Sequence, residues 1–212
     1  VLRSFLAGNV GNAIALFARL VTAVRGIWQG VDPTRRQRIY FANHTSNGDF
    51  VLLWTVLPPA LRRETRPVAA ADYWLTSKLR SFIGRDVFRA VLIDRNPQTR
   101  TDDPVGQMVD ALKDGSSLIL FPEGQRNMDE TVTLLPFKPG LFHVAERRPD
   151  VDLVPVRIEN LNRVMPKGEV IPVPLICTVT FGEPIHVESG EAKAAFLTRA
   201  ETALLALKEG AV

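Results

Sequence analysis

The chain has 212 residues, 46% hydrophobic and 23% charged, a mix that suits one globular domain and leaves no room for two of ordinary size. Its formal net charge is +3 and its pI about 9.3, with Arg several-fold in excess of Lys, a balance suited to anionic headgroups or phosphorylated ligands. A single cysteine excludes an intrachain disulfide framework, the scattered basic residues without interleaved aromatics argue against nucleic acid, and no Cys/His spacing or glycine-rich loop points to zinc or a nucleotide.

At the N-terminus no basic segment, apolar core and cleavage site follow one another as in a signal peptide. No run of about 18 apolar residues is free of charge, so no standard transmembrane helix is expected. Val10, Ile14, Phe17, Val21, Val24 and Trp28 recur at spacings of four and three, which predicts an amphipathic helix over the first 30 residues. Asn12, Arg19 and Thr22 fall on the opposite face. Such a stripe serves either a membrane interface or ordinary core packing. We take residues 1–30 as this helix and 31–212 as an α/β domain.

After Asp32-Pro33 the pattern alternates. Ile39–Ala42 reads as a buried strand and Asn47–Leu57 as a helix ended by Pro58 and Pro59. Pro67–Ala70 is a strand, Tyr73–Phe82 a helix and Ala90–Asp94 a strand. Pro104–Lys113 is a helix with Asp103 as N-cap, and Ser117–Phe121 a strand. Gly140–Arg147 is helical, Leu153–Ile158 and Leu175–Phe181 are strands, and Ala192–Leu207 is a closing helix with Gly210 beyond its end. Irregular excursions are expected at Asn96–Asp102, Arg126–Pro139 and Leu161–Val173. Strands alternating with helices predict an α/β fold: one domain, a central mixed β-sheet flanked by helices, preceded by the N-terminal amphipathic helix.

Two segments carry chemistry. The first is Asn43-His44-Thr45-Ser46-Asn47-Gly48-Asp49, where a strand gives way to a helix. On one continuous helix His44 and Asp49 would sit about 140° apart. They meet only if His44 precedes the helix and Asp49 lies in its first turn. Asp49 then accepts from one ring nitrogen and leaves the other to act as base. The alternative is a locally satisfied buried histidine, with Asp49 favouring the helix N-terminus. The second segment is Phe121-Pro122-Glu123-Gly124-Gln125-Arg126-Asn127, also after a strand. Gly124 permits a positive φ and Arg126 can fork onto a phosphate, although alone this could be a turn with a surface ion pair. Asp94-Arg95 and Val154-Pro155-Val156 are weaker signals. The proline in the latter suits a strand edge or a bulge.

Together these blocks, in this order, resemble the glycerophospholipid acyltransferase superfamily, and within it the bacterial 1-acylglycerol-3-phosphate acyltransferases. Phe137-Lys138-Pro139-Gly140 adds to the likeness, which runs from about Ile39 to about Pro184. The resemblance implies that His44 is the general base and Asp49 its orienting partner. Arg95, Glu123, Gly124, Arg126 and Lys138 would hold the acceptor's phosphate and glycerol. It implies phosphatidic acid synthesis in phospholipid biosynthesis, with no cofactor and no metal. The co-substrate would be acyl-CoA or acyl-carrier protein, and the partners a lysophospholipid, that thioester donor and a membrane surface. The implied location is the cytoplasmic face of a membrane, peripheral or monotopic, as on a bacterial inner membrane. Thr45, Asn47-Gly48, Gln125 and Asn127 depart from the commonest fillers, which bears on the acceptor more than on catalysis.

Two other classes stay open on sequence grounds. A hydrolase using Ser46 would lack a Gly-x-Ser-x-Gly elbow and leave Arg95 and Arg126 without a purpose. A non-catalytic lipid-binding module would have no use for His44 and Asp49. His143 and His186 match no block and read as scaffold, and Cys177 reads as buried and inert.

Overall fold

In the computed structural model, residues 2–95, 103–129, 131–161 and 176–207 are described. Helix α1 (Leu2–Thr22) leads to strands β1 (Arg25–Trp28) and β2 (Arg38–Ala42). Helices α2 (Asp49–Val56) and α3 (Pro59–Glu64) precede β3 (Thr65–Ala70). Two short helices, α4 (Ala71–Trp74) and α5 (Lys78–Phe82), run into a π-helical turn (Ile83–Val87) before β4 (Val91–Ile93). Then come α6 (Pro104–Lys113), β5 (Ser117–Leu120), α7 (Gly140–Arg147), β6 (Asp152–Glu159), β7 (Thr178–Phe181) and α8 (Lys193–Ala206).

One seven-stranded sheet has the order β1-β7-β6-β2-β5-β3-β4. All neighbours pair in parallel except β6 with β7, so the sheet is mixed. The two central strands, β2 and β5, are apolar runs because both their faces are covered. Alternation along β2 sends Tyr40 and Ala42 to one layer and Ile39 and Phe41 to the other. The first layer packs on Leu52, Leu53 and Trp54 of α2. The second packs on Val109 and Leu112 of α6, Leu141 and Val144 of α7, and Phe196 of α8.

Most predicted elements stand within a residue or two of their expected bounds, and Asp103 caps α6 by accepting from Val105 N. The expected Tyr73–Phe82 helix is instead α4, a break, and α5, with the Ser77 side chain capping the second piece. Among the described residues, Arg126–Pro139 carries no helix or strand. The excursions at 96–102 and beyond Leu161, like Gly210, lie outside the described residues.

Pro155 sits in β6, an interior strand, and not at an edge. Its carbonyl accepts from Gly182 N, so its missing N–H faces the place where β7 has already ended at Phe181. The lost donor costs the ladder nothing there.

The N-terminal helix departs most from its reading. It ends at Thr22, and Arg25–Trp28 joins the sheet beside β7. Its buried face is Ala7, Gly11, Ala15, Ala18 and Thr22, about 100° round from the expected stripe. Phe17 from that stripe is 68% exposed, while Thr22 is 4% exposed. Side-chain size explains the switch: a Cβ on Gly11 would already lie 3.2 Å from Trp54 and 3.3 Å from Val87. The small face admits the domain closely, and the large residues Leu2, Phe5, Leu6, Leu16, Phe17 and Leu20 are left outside. With 21 residues and an 18-residue window of hydropathy 1.3, α1 is also long and apolar enough to cross a membrane by length and composition, contrary to the sequence expectation.

Gly11→Leu should therefore overpack the α1–α2 contact by about 1–3 kcal/mol, lowering the melting temperature by roughly 3–10 °C. Leu16→Ala, on the outward face, should change it by less than about 2 °C. Thermal unfolding followed by circular dichroism checks both.

Candidate active site

His44, Glu123 and Gly124 lie just beyond the carboxyl ends of β2 and β5, which are adjacent and parallel. Loops at that edge of an α/β sheet are where substrates are usually met. The chain leaves β2 at Ala42 and enters α2 at Asp49, so the histidine precedes the helix and the aspartate opens it. His44 Nδ1 lies 2.9 Å from Asp49 Oδ2. The same oxygen accepts from Thr45 N at 2.7 Å and Ser46 N at 2.8 Å. An oxygen already accepting two backbone N–H groups selects the His44 tautomer that carries its proton on Nδ1. Nε2 is then the basic nitrogen. No described residue engages it, and the side chain keeps 19% of its surface open.

The imidazole is fixed on every other side. Its ring stacks on Phe121 with centroids 4.3 Å apart and planes 22° apart. Its backbone N donates to Glu123 Oε1 at 2.7 Å, and its carbonyl accepts from Asn127 N at 2.7 Å. The loop after β5 thus grips His44 by both backbone groups. Asn43 anchors the residue before it: its side-chain amide donates to Ile158 O at 2.9 Å and accepts from Ile158 N at 2.8 Å. That pair continues the β2–β6 ladder past Ala42↔Val156. Phe121, Asn127 and Asn43 all lie inside the two sequence blocks, yet only the fold assigns them these tasks.

Glu123 differs from its expected part. It is 2% exposed, and its second oxygen accepts from Leu135 N at 2.9 Å. Both oxygens serve the backbone, so it is a strut between His44 and the 131–138 segment, not a surface ligand. Burial pushes its carboxyl above the usual range, opposed by its hydrogen bonds from Leu135 and His44. Gly124 adopts φ +70°, and a Cβ there would collide with Lys138 Cδ at 2.6 Å. The glycine is needed twice, for its conformation and for the lysine lying across it. Lys138 N donates to Pro122 O at 2.8 Å, which holds the lysine against this turn.

Lys138 and Arg126 are exposed, and among the described residues neither makes an ion pair. Two unneutralised cations flank the loop that holds the base. Arg95 is not brought into this group. It follows β4, with β5 and β3 between it and β2, about 14 Å away by strand spacing. Its guanidinium pairs with Asp72 at 2.8 Å. His143 and His186 are also apart, beside Glu146 and Asp152.

A family model described as Acyltransferase matches residues 29–159, a span that holds the whole grip on His44. The chain belongs to the acyltransferase family. An Escherichia coli 1-acyl-sn-glycerol-3-phosphate acyltransferase is 33% identical over 139 residues, covering 59% of this chain and 51% of that protein. The Limnanthes douglasii protein of the same name is 30% identical over 164 residues, 76% of this chain and 54% of the other. The chain spans about half the length of these curated relatives. The crystal structure of a Thermotoga maritima 1-acyl-sn-glycerophosphate acyltransferase superposes with TM-score 0.69 at 22% identity, covering 96% of this chain and 83% of the other. This acyltransferase domain therefore shares that fold.

Cys177 is buried close enough to Asp49 to feel its charge. Burial first, and the Asp49 carboxylate second, push its thiol from the ordinary 9.0 up to about 11. The folded-state value is raised, so the stability this group contributes is complete below pH 9.0 and disappears as pH rises through about 11. At pH 8 only roughly one thiol in a thousand is ionised. Native protein treated with iodoacetamide at pH 8 should stay unmodified by intact mass, and guanidinium-unfolded protein should gain one adduct. Rapid native alkylation would contradict the buried placement.

Proposed function

We propose that the chain is an O-acyltransferase working at a membrane surface. It moves a fatty acyl group from acyl-CoA or acyl-carrier protein to the free hydroxyl of 1-acylglycerol 3-phosphate, and phosphatidic acid is the product. The observation that carries this reading is the His44–Asp49 couple with Nε2 open, next to a loop whose Arg126 and Lys138 pair with no acid among the described residues. Nε2 removes the proton of the acceptor hydroxyl. The oxygen attacks the thioester carbonyl, an ester bond forms as the carbon–sulfur bond breaks, and the proton passes from the imidazolium to the departing thiolate. Asp49 stabilises the imidazolium between these steps. The nucleophile is the substrate's own hydroxyl, so the step uses no acyl-enzyme and calls on neither metal nor cofactor.

Arg126 and Lys138 are our choice for the acceptor's phosphate, because a dianion supplies the charge they lack. Arg95, paired with Asp72, is left out of that site. The outward face of α1, carrying Leu2, Phe5, Leu6, Leu16, Phe17 and Leu20, supports contact with a bilayer, where a lysolipid acceptor resides. We place that contact on the cytoplasmic leaflet, where thioester donors are found. The names of the relatives, each a 1-acyl-sn-glycerol-3-phosphate acyltransferase, support the acceptor.

The test is thiol release from oleoyl-CoA with 1-acylglycerol 3-phosphate in mixed micelles, with lipid products separated. Wild type should release thiol only with acceptor and yield diacylglycerol 3-phosphate. His44→Ala should lose about 10²–10⁴-fold in rate while remaining folded by circular dichroism. Full activity in that variant, or thiol release without acceptor, would reject the mechanism.

The double variant Arg126→Ala/Lys138→Ala should raise the KM for 1-acylglycerol 3-phosphate by about tenfold or more, from charge-assisted contacts of ~1.5–3 kcal/mol each, less solvent screening. The KM for oleoyl-CoA should move little. An equal rise for both substrates would move the phosphate site elsewhere.

A further inference from the structure

A groove of about 400 Å³ lies between α1 and α3, lined by Gly8, Asn12, Trp54, Pro59, Arg62 and Arg63. It is not the catalytic site. Arg62 and Arg63 close α3, and Thr65 then begins β3 opposite Ser117, the first residue of β5. The groove therefore opens at the amino-terminal edge of the parallel strands, whereas His44 stands beyond their carboxyl ends.

Three arginines meet around it, Arg19, Arg62 and Arg63. Arg62 lies over the Trp54 ring at 5.1 Å from its centroid, and its Nε is buried without a hydrogen-bond partner. Arg63 Nε donates only to Pro59 O of its own helix, and Arg19 donates to Thr55 O. Among the described residues no carboxylate pairs with any of the three. The nearby Glu64 is taken by Arg35. Burial, then repulsion from Arg19 and Arg63, draws the Arg62 guanidinium below its ordinary value. An anion delivered here would relieve each of these costs.

Its surroundings indicate where the anion comes from. On the α1 wheel, Gly8, Asn12 and Arg19 form the flank between the buried small residues and the outward apolar face. A helix lying in a bilayer surface has its flanks at the level of the lipid phosphates. We propose that this groove is a second phosphate site, which takes the headgroup of an anionic bilayer phospholipid that is not the reacting acceptor. The assignment rests on the reading that the α1 face lies on a membrane. The arginines would orient the domain on the bilayer and make its docking depend on anionic lipid.

Vesicle co-sedimentation tests it, with phosphatidylcholine alone or with about 30% phosphatidylglycerol at about 0.1 M salt. Wild type should bind the anionic vesicles about tenfold or more tightly than the neutral ones. Arg62→Gln/Arg63→Gln should cut that preference to about threefold or less, with binding to neutral vesicles and activity in neutral micelles unchanged. The charge-keeping Arg62→Lys/Arg63→Lys should retain most of it, which separates loss of charge from loss of the Trp54 contact. An undiminished preference in the Gln variant overturns the site. So does abolition of the preference in wild type by millimolar inorganic phosphate at constant ionic strength, which would mark a site for small soluble anions. Wild type that binds neither vesicle fails the membrane reading itself, and this proposal with it.

Discussion

The catalytic edge depends on one oxygen. Asp49 Oδ2 accepts from His44 Nδ1, Thr45 N and Ser46 N, and the residue has no exposed surface. A carboxylate withdrawn from water is expensive unless its hydrogen bonds are replaced. Here the turn supplies the replacements at Oδ2, while Oδ1 is buried with no hydrogen-bond partner among the described residues. The two backbone donors can converge on the carboxylate only if residues 45–48 fold back over the start of α2, and that fold-back swings His44 into reach. Forming the turn, burying the acid and choosing the histidine tautomer are a single event. The Phe121 stack and the grip on the His44 backbone by Glu123 and Asn127 then remove the remaining freedom of the base. Such fixing is what orients a base before substrate arrives.

Glu123 illustrates how a scaffold stores cost near a site. Its burial raises the carboxyl's pKa even though two backbone N–H groups point at it. A neutral amide would be cheaper to bury, but it has a single acceptor oxygen, whereas the two donors here meet separate oxygens of Glu123. The result is a link from the β2 end to the segment that carries Lys138, which lies over Gly124.

Much of this was legible in the sequence, for identifiable reasons. The apolar runs of β2 and β5, the helix after Asp103 and the strand-turn-helix around His44 are local patterns, and local patterns survive folding. The spacing of His44 and Asp49 required a turn between them if they were to pair, and the family resemblance made that pairing the expected one. The parts that were not legible depend on contacts distant in sequence. Asn43 reaches Ile158, Arg95 finds Asp72, and Pro155 is tolerated because β7 stops at Phe181. No window around any of these residues contains its partner. The N-terminal helix was misread for another reason. Periodicity ranks faces by hydropathy, whereas the domain selected the face by size, taking Ala7, Gly11, Ala15 and Ala18 and leaving the leucines out.

That rotation of the buried face bears on how a bilayer would meet the molecule. By length and composition α1 is able to span. Its attachments favour a different pose. The buried residues run from Ala7 to Thr22, more than four turns, so the domain covers one side of the helix along most of its length. Arg3 is tied to Asp86 near one end and Arg19 to Thr55 near the other. Threading α1 through a membrane would strip this face from α2 and the π-helical turn and carry both arginines off their partners. Lying flat requires none of that, since the six large residues already face away from the domain. The Thr22 carbonyl accepts from Cys177 N, so the helix ends beside β7, while its Gly8 flank borders the arginine groove at the other edge of the sheet. A membrane met along α1 would thus run past both edges, beside the loops that hold His44 and beside Arg62 and Arg63.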